Sequence, residues 1–391
     1  MAALNDTPRA NRVHIAFFGK TNAGKSSTVN AITGGDAALV SDIAGTTADP
    51  VYKAMELPQA GPVVLVDTAG LDDETALGRA RIKKTEQAAE KTDIAVMVIR
   101  ADDGDTRICR RYAALLEKQG VPVLTAYNVF GETVPEAAVA DPKAVVFNAR
   151  TGEGLDVLIN RIIAHVPDAG EPALMRGVAH PGGVVLLVMP QDGGAPKGRL
   201  ILPQAQALRG LLDNDCIAVC VKPEELPSAL RKLKGPPALV ITDSQVFAAV
   251  DAQLDPSIPL TSFSILMARQ KGDIKTFVEG ARAIAALKPD DKVLLVESCA
   301  HHAQKGDIAR EKLPGWLDGY VGGGLQYTVR AGQGFPADLG EYKLVIHCGA
   351  CMGNRREMLS KIAAAREAGV PITNFGVAIA FLNGILERVT V

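Results

Sequence analysis

Between residues 13 and 165, short runs of β-branched and apolar residues alternate with stretches whose apolar positions recur every three or four residues. The first pattern predicts strands, the second amphipathic helices, and their alternation a parallel sheet with crossover helices. Strands are expected over 13–18, 63–66, 94–99, 121–126 and 144–147, and helices near 25–32, 75–90, 106–119 and 155–164. That is one doubly wound domain. Residues 167–183 carry three prolines and four glycines, a linker's composition, and mark a boundary. Beyond it strands are expected at 184–189, 217–221, 238–241, 294–297 and 343–347, with helices near 204–212, 224–233, 354–368 and 375–387. The chain thus reads as three α/β domains over 1–168, 178–262 and 263–391, with no internal repeat of fixed period.

Composition narrows the classes. A length of 391 residues fits two or three domains, and 47% apolar with 22% charged residues is the balance of a folded, soluble protein. Lysine and arginine number 42 against 44 acidic residues, a net charge of −2, so no broad positive field gathers nucleic acid. No apolar run approaches the roughly 20 residues of a membrane helix, and no signal-peptide segment opens the chain, so a cytoplasmic protein is expected. Six cysteines are too few for a disulfide scaffold and read as buried thiols or metal ligands.

Residues 19–26, GKTNAGKS, fit G-x-x-x-x-G-K-S between an apolar strand and a helix, the context that gives the pattern meaning. Gly19 and Gly24 let backbone N–H groups curl around phosphates, Lys25 adds a cation near the β and γ groups, and Ser26 offers a hydroxyl to Mg2+. Nucleotide contacts are therefore expected over Gly19, Asn22, Ala23, Gly24, Lys25, Ser26 and Ser27. VVLVDTAG over 63–70 puts Asp67 at a strand end, where its carboxylate can hold hydrated magnesium, and Gly70 where it can hinge toward the γ-phosphate. The polar loop with Gly45, Thr46 and Thr47 suits a hydroxyl that closes on the metal. These three elements resemble the Era and TrmE group of GTPases. The resemblance implies K+ held through Asn22, the backbone of Ser41 and Ile43, and Thr46; Thr47 would then be a magnesium ligand. Leu71 follows D-T-A-G where many small GTPases carry a water-orienting glutamine, so slow hydrolysis is expected. The base-reading N-K-x-D is degenerate: Asn128, Val129, Phe130 and Gly131 stand there, Glu132 lies one position late, and Asn148-Ala149-Arg150 replaces Ser-Ala-Lys. Guanine preference is what the resemblance implies.

The last third carries ESCAHH, with Cys299, His301 and His302, and HCGAC, with His347, Cys348 and Cys351. Both follow strand-like runs and so would leave one edge of a parallel sheet, where α/β folds place their sites. C-x-x-C spacing lets Cys348 and Cys351 share a metal, and Cys299 supplies a third thiolate. Three thiolates with an open position suit a 4Fe-4S cluster that accepts an external ligand; spacing alone leaves structural zinc level with it. His301 and His347 are candidate fourth ligands or near-cluster groups. Cys109, Cys216 and Cys220 read as packing thiols, and His14 as a core histidine.

C-A-H at 299–301 and H-C-G-A-C at 347–351, with 45 residues between the histidines, resemble HydF, the family of [FeFe]-hydrogenase maturation GTPases. APKGRLILPQ at 195–204, TDSQVF at 242–247 and PLTSFSILMAR at 259–269 are similar to it too. The resemblance implies a P-loop GTPase domain with a parallel sheet, then an α/β dimerisation domain and an α/β iron-sulfur cluster domain. It implies a scaffold and carrier that binds GTP and a 4Fe-4S cluster, receives a di-iron precursor made with two radical-SAM maturases, and delivers it to the hydrogenase apoprotein as a homodimer. A zinc-stabilised regulatory GTPase and an RNA-modification GTPase are the alternatives; a radical enzyme is excluded because no C-x-x-x-C-x-x-C occurs.

Overall fold

The computed structural model describes residues 8–34, 50–72, 84–131, 143–166, 174–191, 198, 200–298, 307–332 and 334–389. The chain forms two compact units, Met1–Gly170 and Glu171–Val391. In the first, β1 (Val13–Phe18), β2 (Val51–Leu57), β3 (Gly61–Asp67), β4 (Ile94–Arg100), β5 (Val123–Asn128) and β6 (Val145–Phe147) form one sheet in the order β2-β3-β1-β4-β5-β6. All pairings are parallel except β2 with β3. Successive side chains of a strand face opposite ways, and here both faces are covered. Ile15 and Phe17 join the core on one side, Ala16 and Phe18 that on the other. The helices Lys25–Ile32, Arg107–Lys118 and Leu155–His165 stand where periodicity put them. Of the helix expected over 75–90, residues 84–89 are described and helical; 73–83 lie outside the described residues. Strand β2 was not expected: its VYKAMEL run is mostly exposed or half-buried on the sheet edge, so it lacks an apolar signature.

The second unit holds two parallel four-stranded sheets. In one, β7 (Val184–Val188), β8 (Ile217–Val221), β9 (Leu239–Thr242) and β10 (Leu260–Ser262) run in the order β10-β9-β7-β8. In the other, β11 (Lys292–Glu297), β12 (Gln326–Ala331), β13 (Leu344–His347) and β14 (Ile372–Asn374) run in the order β12-β11-β13-β14. One hydrophobic cluster spans both: Leu186 and Val240 share it with Leu295 and Val345. The helix Phe263–Lys271 joins two cores, giving Ile265 and Ala268 to this cluster and Phe263, Leu266 and Met267 to a second. The four larger of these side chains, Phe263, Ile265, Leu266 and Met267, contribute about 1.5–3 kcal/mol each on burial.

Two readings need correction. The Pro/Gly-rich segment is not linker throughout: Leu174 and Met175 are buried against Leu187 and Leu211, apolar anchors that a count of prolines and glycines overlooks. Cys216 is buried as expected, but Cys220 is exposed, on a strand whose residues are all exposed or half-buried. Cys109 and His14 are buried, and His14 Nδ1 donates to the Arg12 carbonyl at 2.9 Å.

The helix Ile274–Arg282 lies so close to β14 that a Cβ on Gly280 would sit 1.9 Å from the Ile372 carbonyl oxygen. Gly→Ala inside a helix ordinarily gains up to about 1 kcal/mol. Backbone overlap reverses the sign, and Gly280→Ala is expected to destabilise the chain by about 2 kcal/mol. Urea denaturation checks this; unchanged stability contradicts the packing.

Candidate nucleotide site and candidate metal centre

The chain leaves β1 at Phe18 and turns through residues 19–24 into the helix Lys25–Ile32, so the amides of its first turn face a cleft of about 490 Å³. Gly24 caps this helix at φ +93°, and a Cβ there would lie 2.1 Å from Asn128 Nδ2. Turn and contact alike require glycine. Asn22 also takes a left-handed backbone, at φ +60°. Lys25 is 7% exposed, and its ammonium donates to the carbonyls of Gly19 at 3.1 Å and Lys20 at 2.8 Å. Burial pushes its pKa down, opposed by Asp67.

Ser26 Oγ donates to Asp67 Oδ2 at 2.6 Å, while Asp67 Oδ1 is buried with no hydrogen-bond partner among the described residues. Burial pushes the Asp67 pKa up, against the Ser26 hydrogen bond and Lys25. An unpaired buried acceptor costs about 1–3 kcal/mol. A hydroxyl touching a carboxylate with a spare oxygen is a hard-oxygen donor set, and it fits magnesium. Thr21, Ser27, Thr68 and Gly70 line the same cleft, and Ala23 is buried behind it. Leu71 is buried in the core, and its N–H donates to the Gly19 carbonyl at 3.1 Å, so it presents no polar group to the cleft. Ser41, Ile43, Gly45, Thr46, Thr47 and Glu132 lie outside the described residues.

Asn128 keeps the structural half of its motif. Its Nδ2 donates to the Ala23 carbonyl and its Oδ1 accepts from Ala149 N–H, both at 3.1 Å, tying the phosphate loop to the 148–150 turn. Asn148 Oδ1 in turn accepts from Arg150 N–H at 2.9 Å and Thr151 N–H at 3.1 Å. Arg100, absent from the sequence reading, also lines the cleft, and its guanidinium lies 4.6 Å over the ring of Phe130, which is 53% exposed. A ring with a guanidinium makes a π-stacking platform without a base-specific pattern.

The second site sits at the carboxyl ends of β11 and β13. These strands are parallel neighbours, with Val296 opposite His347, so 298 and 348 leave the same sheet edge. The Ser298 N–H donates to Cys348 Sγ at 3.2 Å, which brings the chain to Cys348 one residue before Cys299. Cys299, His301 and His302 themselves lie outside the described residues. Among the described residues Cys348 and Cys351 form no disulfide, and both line one cavity of about 220 Å³ with Phe263, Met267, Asp243 and Glu297. Between them Ala350 takes φ +51°, a left-handed conformation that costs a residue with a Cβ and is held by the surrounding packing. Burial pushes the Cys348 thiol up, while hydrogen bonds from the Ser298 and Ala350 backbone and the charge of Lys361 pull it down. Two thiols of one loop with backbone N–H donors are soft ligands, and this donor set fits iron-sulfur or zinc. Among the described residues no three metal-binding side chains gather.

His347 is fully buried, with Nδ1 2.8 Å from the Cys348 carbonyl and Nε2 3.0 Å from Lys361 Nζ. A carbonyl only accepts and an ammonium only donates, so Nδ1 carries the proton and both nitrogens are committed. Burial, with Lys361 beside it, pushes its pKa down to about 3, and the ring is neutral. Behind the cysteine loop, then, His347 has no lone pair to offer a metal. Lys361 also donates to Glu357 Oε1 at 3.1 Å. The i, i+4 spacing of Glu357 and Lys361 was legible, but their burial on the inner face of the helix Arg355–Glu367 was not.

A phosphate loop after the first parallel strand, an Asp67 carboxylate on the neighbouring strand and an asparagine clamp define a P-loop GTPase domain, followed by two further α/β sheets. Residues 14–129 match the family model described as 50S ribosome-binding GTPase, 174–272 that of the hydrogen maturase F dimerization domain, and 275–391 that of its tetramerization domain. The chain belongs to the hydrogen maturase F family. It is also similar to the GTPase Der of Kosmotoga olearia, 34% identical over 166 residues, 38% of this chain and 37% of that protein. The tRNA modification GTPase MnmE of Chromobacterium violaceum is 33% identical over 163 residues, 40% and 36% of the two chains. The chain thus spans little more than a third of the length of these curated relatives. Era of Aquifex aeolicus aligns at a TM-score of 0.34 and 18% identity, over 56% of this chain and 97% of its own, a likeness too slight to argue from. Among the described residues no helix is long and apolar enough to cross a membrane.

Gly131 stands where the motif carries aspartate, so no carboxylate is offered to a base at that position. Gly131→Asp is expected to raise the preference for GDP over ADP by about tenfold or more, since unpaired buried polar groups set such ratios. Competition binding of the two nucleotides measures it, and an unmoved ratio contradicts the placement.

Proposed function

We propose that the chain is a GTP-hydrolysing scaffold of [FeFe]-hydrogenase maturation. On this reading Cys299, Cys348 and Cys351 hold a 4Fe-4S cluster with one corner open, and a di-iron precursor is received there for delivery to the hydrogenase apoprotein. The observation that carries it is the 3.2 Å contact between Ser298 N–H and Cys348 Sγ, which joins two cysteine-bearing strand ends in a chain matching both hydrogen maturase F domains. When bound, the cluster supplies a Lewis-acidic iron for an incoming ligand. The cavity beside it offers mainly apolar walls, such as Phe263 and Met267, that exclude water from cargo.

At the nucleotide site, Lys25 and the first-turn amides hold the phosphates, Ser26 and Asp67 the Mg2+, and Thr47 closes on that ion. Asn22 and Thr46 hold K+. Leu71 leaves the attacking water without a side-chain amide, so hydrolysis is slow and K+ supplies part of the charge stabilisation. GTP then biases association with the radical-SAM maturases and the hydrogenase rather than driving chemistry at the cluster. The protein is cytoplasmic and binds neither nucleic acid nor membrane. The matched dimerization and tetramerization models support assembly through the second unit, with the homodimer as the working state.

Two variants test the reading. Lys25→Ala is expected to abolish GTP hydrolysis while the anaerobically reconstituted protein keeps its cluster absorbance, because the two sites lie in separate compact units. Loss of both together contradicts modularity. Cys348→Ser is expected to lose most bound iron while hydrolysis persists, serine being a harder and far less acidic ligand. Bound zinc with no uptake of iron and sulfide by the parent chain overturns the cluster.

A further inference from the structure

We propose that Lys361 is a fixed counter-charge to the cluster, set behind the cysteine loop and joined to it through the neutral ring of His347. The inference rests on the cluster reading above and adds a tuning residue to it.

Lys361 is 5% exposed, and its ammonium is shared between two acceptors, His347 Nε2 at 3.0 Å and Glu357 Oε1 at 3.1 Å. The far side of the same imidazole donates to the Cys348 carbonyl at 2.8 Å. A continuous chain therefore runs Glu357, Lys361, His347, Cys348, and nearly all of it is out of water. A buried cation needs a reason, since desolvating it costs several kcal/mol and Glu357 offsets only part of that. The ion pair is neutral in sum, yet it is oriented. Its positive end meets the ring that holds the Cys348 backbone, while Glu357 lies on the far side of the ammonium. A cluster on three thiolates carries net negative charge that grows by one unit on reduction. In an interior of low dielectric, a cation held there lowers the energy of the added electron. Asn354 Oδ1 fixes the start of the helix by accepting from Glu357 N–H at 3.0 Å, so neither charge is free to move away.

The test uses the full chain reconstituted anaerobically with iron and sulfide, assayed for metal content and titrated redox-potentiometrically by electron paramagnetic resonance. Lys361→Met, of similar length and without charge, is expected to bind iron like the parent and shift the cluster potential negative. Glu357→Gln, which leaves the ammonium uncompensated, is expected to shift it positive, and Lys361→Arg to stay near the parent. A merely structural role does not give shifts of opposite sign. If Lys361→Met fails to take up iron, the positive shift in Glu357→Gln is still required. Equal potentials, or shifts of one sign, in cluster-containing variants overturn this inference alone. A parent chain that takes up no cluster overturns it together with the proposed function.

Discussion

Parallel pairing of β11 with β13 is the constraint on which the candidate metal centre depends. Hydrogen-bonded parallel neighbours end at the same edge, so two segments some fifty residues apart in sequence are delivered to one place with no further device. The Ser298 N–H that meets the Cys348 sulfur is the last expression of that register. Slipping the pairing by one residue would turn the side chains of β11 to opposite faces and carry Ser298 away from Cys348. Packing in the sheet therefore sets how closely Ser298 approaches Cys348.

The nucleotide site is built the same way. β1 and β3 are parallel neighbours, with Phe17 opposite Asp67, and the hydroxyl of Ser26 finds the Asp67 carboxylate where the two strands end. Asn128 then closes the loop from the other side, bonding both Ala23 and Ala149. Gly131, standing where the motif carries aspartate, has no side chain to bond a base, yet the clamp made by Asn128 is intact.

Legibility in sequence follows burial. Strands covered on both faces, such as β1, β4 and β7, were visible as apolar runs, and the helices Lys25–Ile32 and Leu155–His165 began where glycine gave way to periodicity. Strand β2 was hidden because it is an edge, and β10 (Leu-Thr-Ser) and β14 (Ile-Thr-Asn) because two of their three residues are polar, whereas the equally short β6 (Val-Val-Phe) is apolar throughout. The helix Phe263–Lys271 was hidden for the opposite reason: with apolar residues on several sides it has no polar face to give it a period. At the sites, Lys25, Ser26, Asp67, Asn128, Cys348 and Cys351 could be picked out by spacing. His347 could be picked out but not assigned, since its role depends on Lys361 from the following helix. Arg100 and Phe130 meet only through the fold.

That same doubly covered helix limits how the second unit can be taken apart. Separating the two sheets on either side of Phe263–Lys271 leaves one fragment carrying a greasy rod and the other a matching trench, and both would seek any available surface. The Glu171–Val391 half is one compact unit, and a cut at this helix would expose apolar surface on both pieces.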